Sequence, residues 1–193
     1  MVSYLSVICK FKNVEDHNVW MFLGVYGPNV NSDRGLMWDE LAGIRSWWDV
    51  QWCLGGDFNV VQFPLKRVGS DHFSPAMYDF SDFISTNGLI DVPLSGGMYT
   101  WSNNREVSSI SRIDRYLFTV DSAEGFINIS KKRLTRMNSD HFPISLERGN
   151  IQRRRRPFHF ENMWLKTEGF AGSSLGGNLI RWMVLLILFL VIS

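Results

Sequence analysis

Four short polar clusters, each placed just beyond a run of β-branched and aromatic residues, constrain the fold of this 193-residue chain more than any other feature of it. They are Tyr26 with Asn29, Asp57 with Asn59, Arg112-Ile113-Asp114-Arg115, and Ser139-Asp140-His141-Phe142-Pro143. Each puts a phenol, amide, carboxylate or imidazole where a strand ends. In an α/β fold the loops at such ends converge on one edge of a sheet and present side chains to a shared cleft.

The intervening segments supply the sheet and its cover. Ser3 to Lys12 and Val19 to Tyr26 read as a hairpin through the polar stretch Asn13 to Asn18, and Gly27-Pro28-Asn29 closes the second strand as a turn. Between Arg34 and Trp48, the residues Leu36, Met37, Leu41, Ile44, Trp47 and Trp48 recur at three-to-four spacing and predict an amphipathic helix. A strand follows at Gln51 to Leu54, closed by Gly55-Gly56. Ser74 or Pro75 opens a second helix with Met77, Phe80, Phe83 and Ile84 on one face, and Asn87-Gly88 stops it. Further strands are expected at Leu89 to Val92, Tyr99 to Trp101, Ser111 to Thr119, Asn128 to Arg136 and Phe142 to Leu146, with a helical turn at Asp121 to Phe126. Strands and helices mix without strict alternation, which favours a mixed, antiparallel-rich sheet covered by helices over a doubly wound parallel one.

Composition narrows the partners. A formal net charge of +1 gives no large positive field, so contact with nucleic acid has to come from local patches. Cys9 and Cys53 fit neither a metal spacing nor a secreted disulfide framework; they read as core residues of a protein in a reducing, intracellular compartment. No basic region followed by a long apolar run marks the first residues, so no signal peptide is expected. Residues 1–148 form one domain, residues 149–178 a basic and Gly/Ser-rich linker, and residues 179–193 an apolar tail. That tail holds 11 consecutive apolar residues, against the ~20 of a spanning helix, so membrane contact is not expected. The run Arg153 to Arg156 fits a nuclear-localisation signal and a charged linker equally.

The clusters, in this order, resemble the motifs of the endonuclease/exonuclease/phosphatase superfamily, which includes exonuclease III-type apurinic endonucleases, DNase I and the endonucleases of LINE-type retrotransposons. Gly24-Val25-Tyr26-Gly27-Pro28-Asn29 resembles the strand-end Tyr motif, Gly56-Asp57-Phe58-Asn59 the Gly-Asp-x-Asn motif, Ser111-Arg112-Ile113-Asp114 the Arg-Ile-Asp motif, and Ser139-Asp140-His141-Phe142-Pro143-Ile144 the terminal Ser-Asp-His motif. Tyr99-Thr100-Trp101-Ser102-Asn103 is similar to the version found in plant LINE-type elements. The resemblance implies a DNase I-like α/β sandwich of two packed mixed sheets with outer helices. It also implies hydrolysis of phosphodiester bonds with Mg2+ or Mn2+, and DNA as the partner. Asp140 would be a metal ligand, His141 would contact the scissile phosphate or move a proton, and Asp114 would orient His141. Asp57 and Asn59 would position water or support the leaving group, and Tyr26 would donate to phosphate.

Each residue also has a plain structural role open to it. Asp57 and Asn59 can be turn residues, Tyr26 a half-buried strand aromatic, Asp114 a surface partner of Arg112 and Arg115, and Asp140-His141 an entry to a strand. Those roles require five coincidences in one order, and the family reading requires one cause. Trp38, Trp47 and Trp48 read as core packing, and Lys131, Lys132, Arg133 and Arg136 as phosphate contacts or a solvated edge. Complete family members carry upstream strands with an Asn motif and a metal-binding Glu. Only 25 residues precede Tyr26, and Glu15 falls in a predicted hairpin turn, so the expectation is an N-terminally truncated domain of weak or lost activity. The alternative is a non-catalytic retroelement remnant that binds nucleic acid or protein.

Overall fold

The computed structural model describes residues 6–13, 17–103, 105, 109–120, 129–136 and 139–148. The expected helical turn at Asp121 to Phe126, Glu15, the linker and the apolar tail lie outside the described residues. No helix among the described residues is long and apolar enough to cross a membrane.

Four strands make up most of the main sheet. β1 (Ser6–Lys12) and β2 (Val19–Tyr26) make an antiparallel hairpin, β2 lies parallel to β3 (Gln51–Asp57), and β3 is antiparallel to β8 (Asp114–Thr119). β4 (Leu89–Asp91) completes a five-stranded sheet in the order β1-β2-β3-β8-β4. β2 is apolar on both faces because both are covered. Met21, Leu23 and Val25 point into one buried cluster with Trp52, Leu54 and Leu117, while Phe22, Cys53, Tyr116 and Phe118 point into another. The period of two thus sorts one strand's residues between two layers.

The first layer is roofed by two helices, α1 (Asn31–Ser46) and α2 (Pro75–Thr86). Trp38 of α1 lies over Phe83, Phe80 and Phe58, with ring centroids 4.7, 5.2 and 6.3 Å away. Met37, Leu41 and Ile44 complete the inward stripe. Leu36, Trp47 and Trp48, expected on that stripe, are exposed, and Trp38 takes the inward place instead. α2 ends as its sequence predicts: the Asn87 amide donates to the Phe83 carbonyl at 2.9 Å, and Gly88 has φ +57.

The second layer lies between this sheet and a smaller one, ordered β10-β9-β5 and built from β5 (Leu94–Ser95), β9 (Ile129–Arg133) and β10 (Ile144–Arg148). Ile144 is buried between the sheets, with Leu94, Ile129 and Leu146 against it. A two-stranded ribbon, β6 (Trp101–Ser102) and β7 (Ile110–Ser111), completes the architecture. The result is an α/β fold in which a mixed sheet carries helices on one face and a second sheet on the other.

Several expected boundaries differ: the strand expected over Ser111 to Thr119 is split into β7 and β8, and α1 begins at Asn31 and ends at Ser46. Gly55-Gly56 does not close β3, which runs on to Asp57. A Cβ on Gly55 would stand 2.5 Å from the Tyr116 ring, and one on Gly56, at φ +144, would stand 2.0 Å from the Val25 carbonyl oxygen. The glycines are there because two neighbouring strands press against β3, and not because the chain turns.

Candidate active site

Strand register assembles the first three residues. Tyr26 is the partner of Asp57 across β2 and β3, and Asp57 is the partner of Asp114 across β3 and β8, so the three stand in one row at the sheet edge. Asp57 and Asp114 are buried, and Tyr26 is half-buried. The Gly27 N–H donates to the Asp57 carbonyl at 2.6 Å and keeps the row together where the ladder ends.

The loops beyond the row are fixed by side chains. Asn59 has φ +51; its backbone N–H donates to Asp57 Oδ1 at 2.8 Å and its Nδ2 to the Gly27 carbonyl at 2.6 Å. The Asx turn open to Asp57 is therefore real, and it holds the carboxylate in the site. Arg34, on α1 and buried, donates to the carbonyls of Pro28 and Asn29 at 3.0 and 2.8 Å and to Asn31 Oδ1 at 2.7 Å, which shapes the turn after Tyr26. Asn29 itself is exposed.

Asp140 and His141 arrive from the other side, carried on β6. The Ser102 N–H donates to the Asp140 carbonyl at 2.9 Å, the Phe142 N–H to the Thr100 carbonyl at 2.7 Å, and Trp101 bridges to His141. The Trp101 indole N–H donates to Asp140 Oδ2 at 2.9 Å. Thr100, fully buried, accepts the N–H groups of Ile113 and Asp114 at 3.1 and 3.0 Å on its hydroxyl, so one residue ties both halves of the site. His141 then meets Asp114, with Nδ1 3.0 Å from Oδ2 and 3.2 Å from Oδ1, and its Nε2 lies 4.0 Å from Asp57 Oδ2.

The arrangement pushes its titrations apart. Burial, then the charge of Asp114, raises Asp57 to about 7 against the opposing pull of His141 and the Asn59 N–H. Burial lowers His141, but the hydrogen bond and charge of Asp114, with Asp57 and Asp140 behind them, outweigh it and raise the ring above its ordinary value. Asp140 resists burial through the Trp101 N–H, a backbone N–H and His141, and lies below the usual carboxylate range. Tyr26 is raised by burial and by the charges of Asp57 and Asp140, so its phenol keeps its proton at neutral pH. Asp57, Asp114 and His141 can each offer a ligand atom within 4.8 Å of the others. Carboxylate oxygens beside one imidazole suit a hard divalent cation, and the charge that pushes Asp57 up is what such a cation would offset.

Arg112 and Arg115 do not flank Asp114 as surface partners. Both turn to Asp91, joined there by Lys131, and all three cations are buried. Lys131 is accordingly neither a solvated edge residue nor a phosphate contact. Sequence reasoning quoted Thr100 and Trp101 within a motif without finding their task, and missed Arg34 and Asp91; their partners are set by tertiary structure, not by any local pattern.

This fold is the DNase I-like α/β sandwich. The chain is similar to the endonuclease domain of TRAS1, a telomere-specific non-LTR retrotransposon, with TM-score 0.60 and 14% identity over 77% of this chain and 64% of that one. It is also similar to the beta toxin of Staphylococcus aureus (TM-score 0.51, 16% identity, 74% and 57% of the two chains) and to the catalytic domain of APE2 from Xenopus laevis (TM-score 0.50, 14% identity, 76% and 58%). The chain therefore spans under two thirds of the length of each of these structures. No family model matches the sequence, and no curated protein matches it.

Proposed function

We propose that this chain hydrolyses phosphodiester bonds in nucleic acid, DNA foremost, weakly and with a divalent cation, Mg2+ or Mn2+, and that it descends from the endonuclease of a LINE-type retroelement. The observation that carries the reading is the cluster of Asp57, Asp114 and His141, with Asp140 and Tyr26 within range of its charge, on a sandwich shared with an endonuclease domain.

The cation supplies charge neutralisation at a phosphoryl oxygen and at the leaving alkoxide. Asp140, exposed and held below the usual carboxylate range, would hold it, with the buried Asp57 behind. The chain's own groups do the rest. Asp114 holds His141 Nδ1, which fixes the ring and leaves Nε2 to face a phosphate oxygen or pass a proton. Asp57, held by the Asn59 N–H, would position the attacking water or support the leaving group. Asn59 keeps Asp57 in place, and Tyr26 donates its O–H to a non-bridging oxygen.

The test is nicking of supercoiled plasmid by the purified chain in Mg2+ or Mn2+, beside Asp140→Ala and His141→Ala proteins prepared identically. Nicking by the parent, reduced in each variant by about 100-fold or more, is the expected result. Equal background in all three would replace this reading with that of a nucleic-acid-binding module without catalysis.

A further inference from the structure

An exposed aromatic strip runs beside the site. Phe63, Phe73 and Tyr78 are 41%, 47% and 61% exposed, yet they touch in series: Phe63 meets Phe73 edge-on at 6.3 Å, and Phe73 stacks on Tyr78 at 5.2 Å. Mutual packing that served only to pin the loop to α2 would hide these rings. Here they keep much of their surface in water, which is the mark of an interaction surface.

Its position is fixed by backbone contacts. The Arg112 N–H donates to the Lys66 carbonyl at 2.8 Å, the Val68 N–H to the Ile110 carbonyl at 3.0 Å, and Arg67 bridges to Ser111. The strip's loop is thereby bound to the residues immediately preceding Asp114. Beneath it, Met77 of α2 shares a small buried cluster with Val61 and Ile113, and Trp101 packs against that cluster while holding Asp140. Strip and site therefore stand on one support. The loop also supplies cations: Lys66 and Arg67 lie between Phe63 and Phe73 in sequence, against the acidic Asp71 and Asp79 of the same stretch. The site itself is acidic, so a polyanion that approaches it needs such a flank.

We propose that Phe63, Phe73 and Tyr78, with Lys66 and Arg67, form a stacking platform for unpaired bases of the strand whose phosphate enters the site. This rests on the nucleic-acid reading above. Bases in a duplex have their faces hidden in the stack, whereas unpaired bases offer them to aromatic rings, with phosphates answering to the lysine and arginine. The platform thus reads single strands without regard to sequence.

The experiment is fluorescence anisotropy of the full chain with a labelled oligothymidylate and with a duplex of the same length, in EDTA so that cleavage cannot intervene. Phe73→Leu and Tyr78→Leu keep apolar bulk and remove stacking; each should weaken single-strand binding by about ten-fold and leave duplex binding unchanged. Phe73→Trp should hold or tighten it. Lys66→Gln with Arg67→Gln should weaken both ligands and reduce the salt slope. Thermal midpoints close to the parent's confirm that the leucine variants are folded. Single-strand affinity indifferent to both leucine variants overturns the platform, as does a change confined to self-association in sedimentation, which would make the strip a protein contact. Ring-dependent binding with no plasmid nicking would sink the hydrolase reading alone, and nicking with ring-independent binding would sink the platform alone.

Discussion

Asp57 is a carboxyl that the fold keeps partly protonated at neutral pH. Its folded value of about 7 stands above the ordinary 3.8, so between the two the folded chain holds a proton that the unfolded chain has released. Stability from this group is full below the lower value and is lost as pH rises through the upper one; His141, also raised, has the same sign. The metal-free protein should therefore melt at falling temperature from about pH 5 to about pH 8. Asp57→Asn should flatten that dependence and stabilise the chain at the upper end by roughly 1–3 kcal/mol, because it removes a buried charge that repels Asp114. Calorimetry across the range checks this, and a midpoint that rises with pH would rule it out. The sequence singled out Asp57, Asn59, Asp114 and His141 as candidates because each sits in a short, ordered motif. It did not show that Asp57 is buried against Asp114, since their adjacency is a rung of the β3–β8 ladder.

At the scale of elements, the strongest electrostatic feature is the Asp91 knot. Asp91 on β4 holds Arg115 of β8, Lys131 of β9 and Arg112 of the segment before Asp114, so one carboxylate spans both sheets. Burial works against the charges of Lys131, Arg115 and Asp91: it lowers Lys131 to about 8 and Arg115 to about 10, and it opposes the three cations that hold Asp91 low. Removing the shared acid leaves three cations without their counter-charge. Asp91→Ala should cost about 3–5 kcal/mol in denaturant unfolding, whereas Lys131→Met, which leaves Asp91 with two arginines and fills the space with apolar bulk, should cost under about 1 kcal/mol. Equal losses would show that the knot contributes by packing and not by charge. Such a knot is illegible in one sequence, where Arg112, Arg115 and Lys131 look like surface cations; Asp91 lies 21, 24 and 40 residues from them. The helices were legible because their apolar spacing is local. The inward face of α1 was misjudged at Leu36, Trp47 and Trp48 because spacing fixes a stripe only to within a residue or two at a helix end.

Across the whole molecule, the site straddles the two sheets. Tyr26, Asp57 and Asp114 belong to the larger one, while Asp140 and His141 lead into β10 of the smaller one, with β6 between them. Their alignment depends on the apolar layer around Phe22, Tyr116, Phe118 and Ile144 that sets how the sheets sit. The row at the sheet edge also decides which genetic changes this chain can absorb. Side chains alternate along a strand, so loss of one codon inside β3 would swing its residues to the opposite face and send Asp57 away from Asp114, while its core neighbours exchanged layers. Loss of one codon among residues 69–72, an exposed loop without ladder partners among the described strands, leaves that row untouched. Deleting Leu54 should abolish folding and nicking together, and deleting Asp71 should spare both, as circular dichroism and the plasmid assay will read. The chemistry is inherited less as a set of letters than as a reading frame between strands.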